Sequence, residues 1–241
     1  MMIFMNKKIK YDLVLKNGSV VLPEGIKTVD IGIINESIKD IGDLSGADTH
    51  DSIDCSGLHV LPGVIDSQVH FREPGLENKE NLESGMLAAA AGGVTAVFEM
   101  PNTNPLTITP ETIKDKLKRA SRVAWTDYAF YLGGTGRTGP NLGKWENAPG
   151  ICGIKIFMGA STGDLLAASD EEVASVLSNG KRVVAVHAED QYIMEANMKT
   201  ILKDNHDVSL HCKWRSPESC LSATKRVVMI AKKYNRRVHV L

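Results

Sequence analysis

The chain has 241 residues, 43% hydrophobic and 24% charged, an ordinary globular composition that excludes a disordered tail, a fibre or a collagen. Its 28 basic and 29 acidic residues leave a net charge of -1, so nothing in the charge balance points to nucleic acid or an anionic membrane as partner. No apolar run approaches the ~20 residues needed to span a bilayer. The opening MMIFMNKKIK sets its lysines after its apolar residues, unlike a secretory signal. Cys55, Cys152, Cys212 and Cys220 are scattered without CxxC spacing, so a reduced, cytoplasmic chain is expected.

Residues 11–60 carry short β-rich runs, YDLVLKNGSVVL, TVDIGIIN, SIKDIGDL and GLHVLPG, cut by Asn-Gly, Pro-Glu-Gly and Ser-Gly turns. They predict a small all-β unit. After Pro62 the pattern alternates. VIDSQVHF reads as a strand, NLESGMLAAAAGG as a helix closed by glycines, and VTAVFEM as a strand. TPETIKDKLKRAS reads as a helix with Thr109 as N-cap and Pro110 at its first position. DYAFYLGG is a strand, followed by a turn-rich segment, and GIKIFMG is another strand. SDEEVASVLSNG opens on a Ser169/Glu172 capping box and closes at Asn179-Gly180. RVVAVHAED is a strand, SPESCLSATKRVVMIAKKYN a helix and RVHVL a last strand. The alternation predicts a parallel sheet with crossover helices, open or closed. At roughly 35 residues per unit, a closed barrel of eight would need about 280, so the chain is expected to stop short of closure.

Four places carry candidate chemistry. Two-residue alternation puts Asp66, Gln68, His70 and Arg72 on one strand face and Ile65, Val69 and Phe71 on the other. Such a row is either a solvated face or a metal and anion site, with His70 on the metal and the planar fork of Arg72 on a carboxylate. Asn102, in the exit loop Met100-Pro101-Asn102-Thr103, either bonds a ligand carboxylate or caps the turn. Lys155 sits in Ile154-Lys155-Ile156-Phe157-Met158 with no carboxylate beside it. In a strand covered on both faces such an amine is costly, and desolvation lowers its pKa. The neutral amine can form a Schiff base or take up carbon dioxide as a cation-bridging carbamate; otherwise it snorkels to the strand end. His187 ends Val183-Val184-Ala185-Val186, either as a core histidine or at the rim where barrels place their chemistry. His211-Cys212-Lys213-Trp214-Arg215 reads as a loop before a helix. Cys220 reads as packing, and Lys232, Lys233, Arg236 and Arg237 as a solvated helix end. His50, His59 and His206 are assigned no role.

Leu61-Pro62-Gly63-Val64-Ile65-Asp66, His70-Phe71-Arg72-Glu73-Pro74-Gly75, Gly92-Gly93-Val94-Thr95 with Met100-Pro101-Asn102-Thr103, Gly153-Ile154-Lys155-Ile156-Phe157-Met158 and His187-Ala188-Glu189-Asp190 together resemble the cyclic amidohydrolases. Within these, HFREPG with MPNT is most similar to the dihydroorotases; the barrel signals alone also fit dihydropyrimidinase and allantoinase. The resemblance implies an α/β chain: a (β/α)8 TIM-type barrel, truncated after about strand six (62–241), with a small N-terminal β-sandwich portion (1–61). It implies zinc, one or two ions, held by His70, a carboxylated Lys155 and His187. Arg72 and Asn102 would hold a substrate carboxylate, and a catalytic aspartate would lie beyond Leu241. The implied reaction is reversible closure of N-carbamoyl-L-aspartate to dihydroorotate in pyrimidine biosynthesis. The expected partners are a small-molecule substrate and further copies of the chain or a pyrimidine-pathway protein. Two departures stand out. Gln68 replaces the first histidine of the pair, and an amide oxygen is a weak zinc ligand. His239 falls ahead of the expected strand-six ligand and is not assigned. Without the aspartate the chain alone is expected to be a poor catalyst, since losing a proton-transfer group forfeits ~10²–10⁴-fold. Two alternatives follow: a non-catalytic homologue acting as a structural partner, favoured by Gln68, and a related ring hydrolase (allantoinase or dihydropyrimidinase), whose substrates lack the carboxylate that Arg72 and Asn102 would bind.

Overall fold

A computed structural model describes residues 9–159, 165–202 and 207–241. His206 lies outside the described residues. The chain divides into two compact units, one ending at Gly63 and one running Val64–Leu241.

The first unit is a single five-stranded mixed sheet. Its strands are β1 (Lys10–Leu22), β2 (Gly25–Ile34), β3 (Ser37–Gly42), β4 (Asp48–Asp54) and β5 (His59–Val60). β1 pairs antiparallel with β2 and parallel with β4 and β5. Asn35 and Glu36, both at positive φ (49° and 60°), make the two-residue turn from β2 to β3, as hairpin twist requires. Tyr11, Val14, Val20, Ile31 and Cys55 are its buried apolar residues among those described. The expected sandwich portion is thus, among the described residues, one sheet.

The second unit alternates strand and helix: β6 (Val64–Val69), α1 (Leu82–Ala91), β7 (Val94–Glu99), α2 (Pro110–Ala120), β8 (Asp127–Gly133), α3 (Gly139–Trp145), β9 (Ile151–Phe157), α4 (Asp170–Leu177), β10 (Val184–His187), α5 (Gln191–Ile201), α6 (His211–Trp214), α7 (Pro217–Tyr234) and β11 (Val238–Val240). The six strands form one sheet in chain order, every neighbouring pair parallel. Strand alternation sorts the residues. Val97, Phe130, Leu132, Ile154, Ile156, Val184 and Val186 enter a core with Leu82, Met86, Ile113, Val173 and Val227 of the helices. The opposite face carries a smaller cluster of Met100, Tyr131 and Ala185, with Phe98 and Cys152 against it.

Local caps explain where the strongest helices begin. Thr109 and Thr112 cap α2 reciprocally, and Ser169 and Glu172 do the same for α4. Three helices have no counterpart in the sequence expectations. α3 lies in the turn-rich segment and buries only Gly139 and Leu142, too little for a periodic signal. α5 buries only Met194, so it shows no apolar stripe; its start is fixed by Asp190, whose side chain accepts from the amides of Tyr192 and Ile193. α6 is a four-residue turn of helix where a loop is expected.

Glu146 staples the end of the sheet opposite the candidate site. Its carboxylate accepts the backbone N–H groups of Lys181 and Arg182 and a bond from Arg236 Nη2 at 3.0 Å. Both side chains are 3% exposed. Gly180, at φ 87°, permits this approach, since a Cβ there would stand 2.4 Å from Glu146 Oε2. Removing the carboxylate strands a buried guanidinium, so Glu146→Ala is expected to lower unfolding stability by about 3–5 kcal/mol. Urea unfolding checks this, and an unchanged midpoint would contradict it.

Candidate functional site

The residues singled out for chemistry fall at the C-terminal ends of β6, β9 and β10, along one rim of the parallel sheet. That is the rim where parallel α/β sheets hold ligands.

β6 departs from the strict alternation expected of it. It is an edge strand and ends at Val69, short of Arg72. Its ladder slips: Asp66 lies opposite Val97, yet Val69 lies opposite Glu99. The extra residue breaks the pleat, so Asp66 and His70 do not share a face by strand geometry. Arg72 has left the strand altogether. Its φ of 69° is left-handed, so a turn and not the pleat sets its direction. Gln68 is exposed on the edge strand. Phe71 anchors the turn: its ring occupies the place a Cβ on Gly85 would take, 2.3 Å from Cδ1.

A buried charge pair lies behind this turn. Lys116 Nζ of α2 stands 2.7 Å from Glu99 Oε2 at the end of β7, both side chains 1% exposed. Burial pushes the Glu99 carboxyl up and the Lys116 amine down, and each partner's charge opposes the shift of the other. The backbone amide of Arg72 adds a smaller favourable interaction with the carboxylate.

His70 and Asn102 meet at the rim. Nδ1 of His70 lies 2.8 Å from Asn102 Oδ1. An amide oxygen only accepts, so Nδ1 carries the proton and Nε2 keeps its lone pair. Burial first, then the Arg72 charge, holds the His70 pKa below its usual value; the Lys155 and Lys116 charges add to this, and the Asn102 bond opposes it. Asn102, expected on a substrate carboxylate, is thus engaged with a histidine through its oxygen.

Lys155 is 1% exposed. It alternates with Ile154 and Ile156, which face the helices, and so lies on the opposite face. Its Nζ donates to the Ile156 carbonyl at 3.0 Å and sits 4.1 Å from the centre of the Phe157 ring. Among the described residues no carboxylate pairs with it. Burial brings its pKa down to about 7. The His187 ring lies against the same Phe157 ring, with centroids 5.9 Å apart, so Lys155 and His187 flank one aromatic side chain.

His187 points Nε2 at Glu189 Oε2, 2.5 Å away. Glu189 is gripped by Arg215, which donates from Nε to Oε1 at 2.9 Å and from Nη2 to Oε2. This fork holds the Glu189 carboxyl below the usual range against the opposing effect of burial. The adjacent Asp190 accepts from Ser222 Oγ at 2.8 Å and Arg226 Nη1 at 3.0 Å. His187, Glu189, His211, Arg215, Cys220 and Leu241 line part of an open cavity of about 640 Å³. Sequence reasoning gave no role to Glu189, Arg215 or Arg226. A carboxylate two residues after a histidine was a visible signal, but the arginines approach only through the tertiary fold.

His70 through Nε2, Lys155 if carboxylated, and His187 are the residues that could hold a zinc ion. Among the described residues no group of three or more His, Cys, Asp or Glu could by itself hold a metal ion.

Fold and rim together define an α/β chain built like an enzyme scaffold, with imidazoles and a buried amine at the carboxyl ends of parallel strands. The chain is similar to the N-terminal portion of members of the cyclic amidohydrolase family. Residues 57–138 match the family model described as dihydro-orotase-like. An allantoinase of Deinococcus radiodurans is 31% identical over 238 residues, 95% of this chain and 52% of that protein. A dihydroorotase of Halobacterium salinarum is 33% identical over 223 residues, 91% of this chain and 51% of that protein. The L-hydantoinase (dihydropyrimidinase) structure from Arthrobacter aurescens superposes with a TM-score of 0.88 at 30% identity, over 95% of this chain and 52% of that one. The chain thus spans about half the length of the relatives it matches.

The Glu99–Lys116 pair yields a test of the turn's support. Lys116→Met alone strands a buried carboxylate and is expected to cost about 3–5 kcal/mol, whereas Glu99→Leu with Lys116→Met should recover most of that loss. Denaturant unfolding of the single and double variants decides; a double variant as unstable as the single one would show that the pair is not an isolated unit.

Proposed function

We propose that this chain carries part of the metal and substrate site of a zinc-dependent cyclic amide hydrolase. The reaction we assign is the reversible interconversion of N-carbamoyl-L-aspartate and dihydroorotate in cytoplasmic pyrimidine biosynthesis. In this reading the second unit supplies the first six strands of a (β/α)8 barrel, and the first unit the N-terminal part of a β-sandwich. The observation that carries the reading is Lys155, a buried amine with no carboxylate partner among the described residues, flanking Phe157 with His187.

His70, carboxylated Lys155 and His187 would hold the metal. When bound, zinc supplies Lewis-acid polarisation of an amide carbonyl and activation of water. The chain's own groups bind and orient. Arg72, close enough for its charge to depress the His70 pKa, supplies a planar fork for the substrate carboxylate. Asn102 keeps His70 turned through Oδ1, which leaves its Nδ2 hydrogens to donate to that carboxylate. Met100, Tyr131 and Ala185 form an apolar wall on the same sheet face. Arg72 favours dihydroorotate over hydantoins, dihydropyrimidines and allantoin, whose rings carry no carboxylate. Relatives bearing dihydroorotase, allantoinase and hydantoinase names support the ring-amide class equally.

Gln68 favours a second reading, a metal-poor homologue that serves as a structural partner, because it is exposed and offers only an amide where a histidine ligand is expected.

Zinc content of the purified chain, loaded in the presence of bicarbonate, separates the two. Under the first reading the chain holds zinc, Lys155→Ala weakens binding by about 100-fold or more, and propionate restores part of it. Equal zinc affinity in the variant would overturn the role of Lys155, and no zinc in the parent chain would favour the structural partner. For substrate choice, Arg72→Ala in the active protein is expected to raise KM for dihydroorotate about tenfold or more with little change in kcat. Hydrolysis of hydantoin, which has no carboxylate, should be unaltered. Unchanged dihydroorotate kinetics would remove Arg72 from the site.

A further inference from the structure

Resting on the assignment of Lys155 and His187 to one site, we propose that Arg226 is a positioning residue. From helix α7 it anchors the connection between β9 and α4, and that connection seats the Phe157 ring against Lys155 and His187.

The guanidinium works through all three nitrogens. Nε donates to Asp170 Oδ1 at 2.7 Å, Nη1 to Asp190 Oδ2 at 3.0 Å and Nη2 to the Ala168 carbonyl at 2.6 Å. These partners belong to two rim connections. Ala168 lies just before the Ser169 cap of α4, and Asp170 opens that helix. Asp190 caps α5, three residues beyond His187. A planar fork can bridge groups spread in this way, and a single ammonium cannot. The Arg226 and Asp190 side chains are 17% and 7% exposed, so solvent screens their pairing little. Helix α7 holds Asp190 at two further points: Ser222 Oγ donates to Oδ2 at 2.8 Å, and the Ser219 carbonyl accepts the Asp190 amide at 3.0 Å.

The anchored connection reaches the rim through the backbone. The Ala167 amide donates to the Phe157 carbonyl at 2.8 Å, and Leu166 makes a parallel bridge with Phe157. On the other side the Met158 amide donates to the His187 carbonyl at 3.0 Å, so the end of β9 is tied to both neighbours. Leu165, wholly buried, packs over Gly133: its Cδ2 stands 2.7 Å from where a Cβ on Gly133 would sit. Gly133 lies opposite Lys155 in the ladder, and residues opposite each other point to the same face, so Leu165 covers the sheet beside the amine. The Phe157 ring completes the cover, centred 4.1 Å from Lys155 Nζ and 5.9 Å from the His187 ring. Loss of the guanidinium leaves the Ala168 carbonyl and the Asp190 carboxylate each short of a partner. Local opening of this connection then becomes easier while the sheet stays folded.

Acylation of the metal-free chain with N-hydroxysuccinimidyl acetate, read by peptide mass spectrometry at one fixed pH, tests this without substrate or zinc. Lys155 and Lys116 are both 1% exposed, and Lys116, paired with Glu99 from α2, reports any general loosening of the unit. Arg226→Met is expected to raise the acylation rate of Lys155 about tenfold or more and to leave that of Lys116 unchanged. Arg226→Lys keeps the charge without the fork; it should give a smaller rise, again at Lys155 alone, and serves if Arg226→Met does not fold. An equal rise at both lysines would make Arg226 a general stabiliser and overturn the proposal, as would an unaltered Lys155 rate in the folded variants. Chelator competition then tests the reading beneath it. If Lys155 and His187 hold zinc, Arg226→Met weakens binding about tenfold or more. A parent chain that binds no zinc, yet shows the selective rise at Lys155 in the variants, keeps the positioning role and discards the metal reading.

Discussion

The structure turns on one amine kept out of water with, among the described residues, no anion beside it. Lys155 lies in a strand whose alternate residues, Ile154 and Ile156, are wholly buried against helices, so the backbone cannot move to expose it. Its compensation is one carbonyl and the face of one phenylalanine. Those contacts are modest against the cost of desolvating an ammonium, which is why burial moves this amine toward the neutral form. A neutral buried amine is reactive toward carbon dioxide, and the product of that addition is an anion.

The contrast with Lys116 sharpens the point. Both lysines are 1% exposed and both lie near an aromatic ring. Lys116 faces the helix layer and has Glu99 at 2.7 Å, so its charge is answered and its work is structural: the pair backs the turn that carries His70 and Arg72. Lys155 faces the other side of the sheet and has no such answer among the described residues. The rim is otherwise organised by pairs. Asn102 answers His70, Arg215 answers Glu189, and Arg226 answers Asp190. These pairs frame an amine whose partners, among the described residues, are a backbone carbonyl and an aromatic face.

What could be read in the sequence was mostly local. Strand–helix alternation, the Thr109 and Ser169 caps and the apolar setting of Lys155 each depend on residues within a turn or two, and each is in the structure. What could not be read depends on distant partners. The slip in β6 is set by its register with β7, and the left-handed turn at Arg72 belongs to the loop that follows. The helix α5 is invisible to periodicity because only Met194 is buried. Asn102 looked like a substrate group or a turn cap because His70 stands 32 residues away, and Arg215 looked like loop because Glu189 stands 26 residues away.

The most direct measurement is ¹³C NMR of the zinc-loaded chain equilibrated with ¹³C-bicarbonate. A carbamate carbon resonance that disappears on Lys155→Arg is the expected result. A spectrum with no carbamate signal at full zinc occupancy would mean that the buried amine stays an amine, and the chemistry assigned to this rim would have to be abandoned.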